Sequence, residues 1–193
     1  MNKMKVVEIF DSMQGEGEYI GTYCTFVRFA GCNLKCPFCD EESKYGKAKE
    51  MTIEQIVKKC KQDMVVLTGG EPTIQPQLKE LIKALHMACK EVHIETNGTG
   101  GIDDDNVWVT CSPKAPKYEL TYTGYHEIKL VVSEDLTLKK ALEIASHTKR
   151  RIWLQPCDGP DIYKSKDTIL KWIKKYPNKF RAGIQLHKWY EVV

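Results

Sequence analysis

Val27-Arg28-Phe29-Ala30-Gly31-Cys32-Asn33-Leu34-Lys35-Cys36-Pro37-Phe38-Cys39 is the stretch on which the reading of the 193-residue chain turns. Residues 25–29 are β-branched or aromatic apart from Arg28, which predicts a strand. That strand runs through Gly31 into three cysteines separated by three and then two residues. Such spacing sets three thiolates on one tight loop, and thiolates are the soft ligands that iron–sulfur clusters take. Three ligands hold three irons of a cubane and leave the fourth iron for a substrate, as an open position does in catalytic zinc sites. A zinc knuckle is the alternative. Zinc usually closes with two cysteine pairs, and no second pair is present.

Working outward, residues 52–60 read as a helix capped by Thr52, with Ile53, Ile56, Val57 and Cys60 as its apolar stripe. Residues 64–68 read as a buried strand that ends in Gly69-Gly70. Paired glycines there let the backbone approach a ligand closely, and Glu71 follows at the strand's carboxyl end. Pro76 suits the first turn of a helix carrying Leu78, Leu81, Ile82, Leu85 and Cys89 on one face. Strands are expected at 92–95, 107–111, 127–132, 151–154 and 182–186, and helices at 138–146 and 168–175. The alternation predicts an α/β protein with a mainly parallel sheet. Between 92 and 132 there is little room for helices, so the helical layer is expected to be incomplete.

The composition fits one globular domain over residues 1–193, with 42% apolar and 28% charged residues. A net charge of +3 is compatible with an anionic substrate but gives no basic stripe for nucleic acid. No apolar run is long enough for a membrane span and the N-terminus lacks a signal-peptide pattern, so a cytoplasmic protein is expected. Eight cysteines in a reducing compartment are not a disulfide framework. Cys60 and Cys89 read as core residues on helix faces, and Cys111 and Cys157 as structural.

The Cys-x3-Cys-x2-Cys loop resembles that of the radical S-adenosylmethionine superfamily, and Gly69-Gly70-Glu71-Pro72 resembles its GGEP segment. Six further segments occur in order: Met13–Gly17, Val27–Cys32, Glu95–Thr99, Ser112–Lys114, Leu154–Pro156 and Gln185–Lys188. Together they closely resemble the 7-carboxy-7-deazaguanine synthase family. The resemblance implies a partial (β/α) barrel with a shortened helical layer. It implies a [4Fe-4S] cluster on Cys32, Cys36 and Cys39, with S-adenosylmethionine chelating the fourth iron and yielding a 5′-deoxyadenosyl radical on reduction. That radical would take a hydrogen from 6-carboxy-5,6,7,8-tetrahydropterin, whose ring contracts with loss of ammonia to 7-carboxy-7-deazaguanine. A magnesium ion, an electron donor such as flavodoxin or ferredoxin, and a homodimer are also implied.

Carried over by position, Phe38, Gly70, Glu71, Gly98, Ser112 and Lys114 would bind S-adenosylmethionine. Met13, Gln14, Gly15, Glu16, Arg28, Thr96 and His187 would bind the pterin. For Phe38 the alternative is loop packing, for Arg28 a surface ion pair, for His187 a core histidine and for Glu16 a loop-fixing role. The family has Thr two residues after the last cysteine, as a magnesium ligand, and this chain has Glu41 there. A carboxylate can ligate magnesium itself, or fill the space and repel the substrate's carboxylate. Three rivals remain: an activating enzyme for anaerobic ribonucleotide reductase, a homologue with altered substrate, and a non-catalytic iron–sulfur or zinc module.

Overall fold

In the computed structural model, which describes residues 3–39, 47–115 and 117–192, the chain opens with an antiparallel pair, Met4–Met13 (β1) and Tyr23–Phe29 (β2). Lys49–Met51 (β3) pairs with β1, and its charged three-residue sequence gave no sign of a strand. From β2 onward the strands are parallel: Met64–Gly69 (β4), Glu91–Thr96 (β5), Val107–Cys111 (β6), Glu127–Val132 (β7), Ile152–Pro156 (β8) and Phe180–Ala182 (β9). The order is β3-β1-β2-β4-β5-β6-β7-β8-β9, an open sheet.

Among the described residues five α-helices accompany it: Ile53–Lys59 (α1), Leu78–Met87 (α2), Leu138–Ser146 (α3), Ile162–Lys175 (α4) and Leu186–Trp189 (α5). Among the described residues no helix lies between β5 and β7, so the helical layer is shortened where expected. No described helix is long and apolar enough to cross a membrane.

Strand alternation sorts the side chains. Val65, Leu67, Val92, Ile94, Val107 and Val109 join Ile56, Leu81 and Leu85 in one core under α1 and α2. Ile128, Leu130, Ile152 and Leu154 join Ala141, Ile144 and Ile169 in a second under α3 and α4. The opposite face is buried too, but it carries His93, Thr110, Glu127, Lys129 and Gln155. Burial on both faces suits a parallel sheet, and the polar inner face is where a lumen can form.

Thr52 caps α1 with a full capping box, its hydroxyl accepting from the Gln55 N–H and the Gln55 side chain accepting from the Thr52 N–H. Three expected element bounds are corrected. Pro76 lies outside α2, whose N-cap is Gln77; the proline that opens a helical turn is Pro72, in a 3-10 turn over Pro72–Ile74. The last strand ends at Ala182 rather than running over 182–186, because after the Gly183 N–H bonds the Leu154 carbonyl at 2.8 Å the chain leaves the sheet and turns into α5. α4 begins at Ile162, earlier than the expected 168, since Tyr163 and Lys164 at its start carry no apolar periodicity.

Cys89 is not a core residue. It is exposed, past the end of α2, with φ at 56°. Its N–H donates to the His86 carbonyl at 2.9 Å and the Lys90 N–H to the Leu85 carbonyl at 3.0 Å, a Schellman arrangement that favours glycine at the left-handed position. Cys89→Gly is therefore expected to stabilise the protein by about 1 kcal/mol and raise Tm by about 3 °C. A thermal melt that falls instead would contradict the strain.

Residues 14–22 form a strap across the open side of the sheet. The Gln14 N–H donates to the Thr22 carbonyl at 2.8 Å and starts the loop. The Glu18 N–H then reaches Glu127 on β7 at 3.0 Å, the Glu18 carboxylate meets Arg181 on β9, and the Gly15 carbonyl accepts from the Leu186 N–H at 2.9 Å. Gly17, at φ 75°, lies against the Glu127 carboxylate where a Cβ would collide.

Candidate functional site at the carboxyl ends of the strands

Parallel α/β sheets place ligands at the carboxyl ends of their strands. Here those ends are Gly31–Cys39 after β2, Gly70-Glu71 after β4, Asn97-Gly98 after β5 and Ser112–Lys114 after β6. The Gly70 N–H donates to the Phe29 carbonyl at 3.0 Å and the Glu71 N–H to the Gly31 carbonyl at 2.9 Å. A Cβ on Gly69 would overlap the Phe29 backbone, and one on Gly70 the Gly31 carbonyl. The paired glycines thus let the strand end meet the cysteine loop itself.

Cys32, Cys36 and Cys39 form no disulfide and are half-buried. The Cys39 N–H turns back to the Cys36 carbonyl at 3.3 Å, and the Leu34 N–H donates to the Cys32 sulfur at 3.4 Å. Asn33 anchors the loop to β5: its carbonyl oxygen accepts from the Asn97 side-chain amide at 2.9 Å and its amide donates to the Thr99 hydroxyl at 2.8 Å. Among the described residues no three His, Cys, Asp or Glu side chains stand at metal-ligand spacing, so the sulfurs must close up to act as one ligand set. Their chemistry and their place on one anchored loop fit an iron–sulfur cluster. Phe38 packs against the second core, which is the loop-packing role. Glu41 lies outside the described residues.

Glu71, 1% exposed, is a strut between strand ends. Its carboxylate accepts from the Thr73 N–H at 3.1 Å, the Thr73 hydroxyl at 2.7 Å, the Thr96 hydroxyl at 2.6 Å and the Asn97 N–H at 2.7 Å. The Thr96 hydroxyl also accepts from the Gly98 N–H at 3.2 Å. Gly98, at φ 83°, faces the Cys111 sulfur, 2.6 Å from where a Cβ would stand. Lys114 donates to the Ser112 hydroxyl at 2.8 Å, and burial, then neighbouring Lys129, pushes its pKa down.

Deeper in the lumen lie Gln14 and Glu16 of the strap. Lys129 of β7 donates to Glu16 and, at 3.0 Å, to Glu95 of β5. Gln14 donates to the other Glu95 oxygen at 3.3 Å and accepts from the Glu16 N–H at 3.2 Å. Burial alone would lower the Lys129 pKa, but the two carboxylates hold it above its ordinary value. Burial works to raise Glu16, and Lys129 outweighs it, so Glu16 stays below the usual range. Burial raises Glu95. Met13 ends β1 above the strap, and the His187 ring packs on Gly15.

Arg28 stands apart on β2. A bulge between Val6 and Glu8 turns Glu8 onto the Arg28 face. Arg28 Nε lies 2.8 Å from a Glu8 oxygen, an ion pair whose N–H is not aimed as a hydrogen bond, and the guanidinium covers the Phe10 ring at 5.5 Å.

Burial pushes the Cys24 and Cys111 thiols up to about 12 and Cys60 up to about 11, so these stay protonated and are poor metal ligands. Sequence reading missed Asn33, Asn97, Glu95 and Lys129 as parts of the site. The signal for the last two was present: a charge at every second position of an otherwise apolar strand marks a polar inner face.

The radical SAM superfamily model matches residues 26–107. The 7-carboxy-7-deazaguanine synthase of Bacteroides thetaiotaomicron is 40% identical over 188 residues, 95% of this chain and 96% of that protein. The enzyme of the same name from Bradyrhizobium diazoefficiens is 34% identical over 95% of this chain and 96% of its own length. Among solved structures, QueE from Escherichia coli superposes with a TM-score of 0.81 at 24% identity, covering 96% of this chain and 95% of that one.

Proposed function

The chain belongs to the 7-carboxy-7-deazaguanine synthase family of radical S-adenosylmethionine enzymes, and on that premise we propose that it converts 6-carboxy-5,6,7,8-tetrahydropterin to 7-carboxy-7-deazaguanine with loss of ammonia. The observation that carries this reading is that two built features share one buried neighbour, Lys114, which acts on both Cys36 and Glu16. The anchored Cys32–Cys39 loop lies at the strand ends, and the Gln14–Glu16 strap is pinned within the same half-barrel. A [4Fe-4S] cluster held by Cys32, Cys36 and Cys39 would supply the electron for reductive cleavage of S-adenosylmethionine.

The chain's own residues would hold the reactants. Cys32, Cys36 and Cys39 would ligate iron. Gly70, Gly98, Ser112, Lys114 and Phe38 would line the cofactor site. Glu71 and Thr96, whose side chains bond each other, would fix the strand ends that frame it. Met13, Gln14, Gly15 and Glu16 would take the pterin's pyrimidine edge from the strap, and His187 would back them. Arg28 would draw the substrate carboxylate. Glu41 would ligate magnesium, a reading that stands on sequence alone. The whole chain would act as one domain, as a cytoplasmic homodimer served by flavodoxin or ferredoxin.

An anaerobic assay with the carboxy-tetrahydropterin, S-adenosylmethionine and a reductant tests the function. Equal amounts of 5′-deoxyadenosine and the deazaguanine acid are expected. 5′-Deoxyadenosine without ring contraction would keep the radical chemistry and reject the substrate. Removing magnesium, or Glu41→Gln, is expected to slow turnover by about tenfold or more. Unchanged activity in both would remove Glu41 from the site.

A further inference from the structure

Four residues from three parts of the chain close a ring inside the half-barrel. Starting at Lys129, the ammonium meets Glu16, the Glu16 N–H meets the Gln14 carbonyl oxygen at 3.2 Å, the Gln14 amide meets Glu95 at 3.3 Å, and Glu95 returns to Lys129 at 3.0 Å. Both orientations of the Gln14 carboxamide are decided by this ring, since its oxygen and nitrogen each have one partner. Glu16 and Glu95 repel each other in a site shielded from water, and Lys129 is the cation between them. All three side chains are largely buried, Lys129 10%, Glu16 14% and Glu95 19% exposed.

We propose that Lys129 is a positioning residue that presets Glu16 and Gln14 as one recognition edge for a 2-amino-4-oxo pyrimidine ring. The inference rests on the reading that the strap meets the pterin. A carboxylate accepts from both the N3–H and the adjacent 2-amino group of such a ring, whereas a 2-oxo ring keeps the N3–H but sets an acceptor beside it that repels the second oxygen. Without Lys129 the two carboxylates lose the one cation that bonds them both, and Lys114, which acts on them only through space, remains. Glu16 then turns away or takes up a proton, and in either state it no longer accepts two hydrogen bonds. Lys129 touches no reactant in this account; it fixes the anion that does.

The test compares binding of the carboxy-tetrahydropterin and its 2-oxo (lumazine) analogue to the anaerobic holoenzyme with S-adenosylmethionine present, by ligand fluorescence. In Lys129→Gln the preference for the amino ring is expected to fall by about tenfold to a hundredfold. Lys129→Arg, which keeps the charge, is expected to restore most of it. If Lys129→Gln does not fold, the double variant Lys129→Gln/Glu95→Gln removes one charge of each sign and is expected to fold while the preference stays lost. A folded variant that keeps the preference, or one that weakens both ligands equally, overturns the inference. Glu16→Gln separates the premises: if it too keeps the preference, the strap is not the pterin site. If it loses the preference while Lys129→Gln keeps it, only the role of Lys129 fails.

Discussion

Cys36→Ala is expected to abolish 5′-deoxyadenosine formation, by at least about a thousandfold, because two thiolates cannot hold a cubane with a single open iron. The same loss is expected for Cys32→Ala and Cys39→Ala. Iron and sulfide content after anaerobic reconstitution should fall with activity. The cluster-free melting temperature should stay near that of the wild type, since all three side chains are half-buried on a loop and belong to no core. The contrast is with Cys60, which is 4% exposed inside the first core, and where alanine would cost stability and leave iron binding intact. A Cys36→Ala protein that still binds a full complement of iron and cleaves S-adenosylmethionine would remove the loop from the chemistry.

Glu71→Ala is expected to destabilise the cofactor-free protein by about 3–5 kcal/mol, lowering Tm by about 10 °C. The carboxylate, 1% exposed, satisfies four donors on two segments, and alanine would leave them buried without an acceptor. Glu71→Gln keeps one acceptor oxygen and should lose about half as much. Because the measurement is made without S-adenosylmethionine, it separates a strut from a ligand. A side chain reserved for the cofactor's amino group would leave the unliganded melt unchanged.

Much of this architecture was legible in the chain. The strand at 25–29, the Thr52 cap, the apolar stripe of α2 and the gap in the helical layer before β7 all follow from periodicity and turn chemistry, which act over a few residues. The cysteine loop was legible for the same reason, since its three sulfurs are neighbours in sequence. What was not legible depends on long-range closure. Glu16 and Lys129 are 113 positions apart, and Asn33 and Thr99 are 66 apart. Nothing local to Lys129 says which carboxylates it will meet. Glu71 shows the limit in another form. Its segment pointed to a ligand-facing carboxylate, and nothing local foretold that the hydroxyls and N–H groups of Thr73, Thr96 and Asn97 also converge on it. Cys89 misled because its spacing continues the apolar stripe of α2, while the helix stops two residues earlier, at Met87, and a left-handed turn leaves Cys89 in solvent.

The account depends on an iron–sulfur cube on Cys32, Cys36 and Cys39 whose remaining iron accepts S-adenosylmethionine. Electron paramagnetic resonance of the reconstituted, reduced protein tests this most directly. A reduced [4Fe-4S] signal that changes shape when S-adenosylmethionine is added, and that is missing in Cys36→Ala, is the predicted result. A signal indifferent to S-adenosylmethionine, or a protein that takes up zinc in place of iron and sulfide, would contradict it.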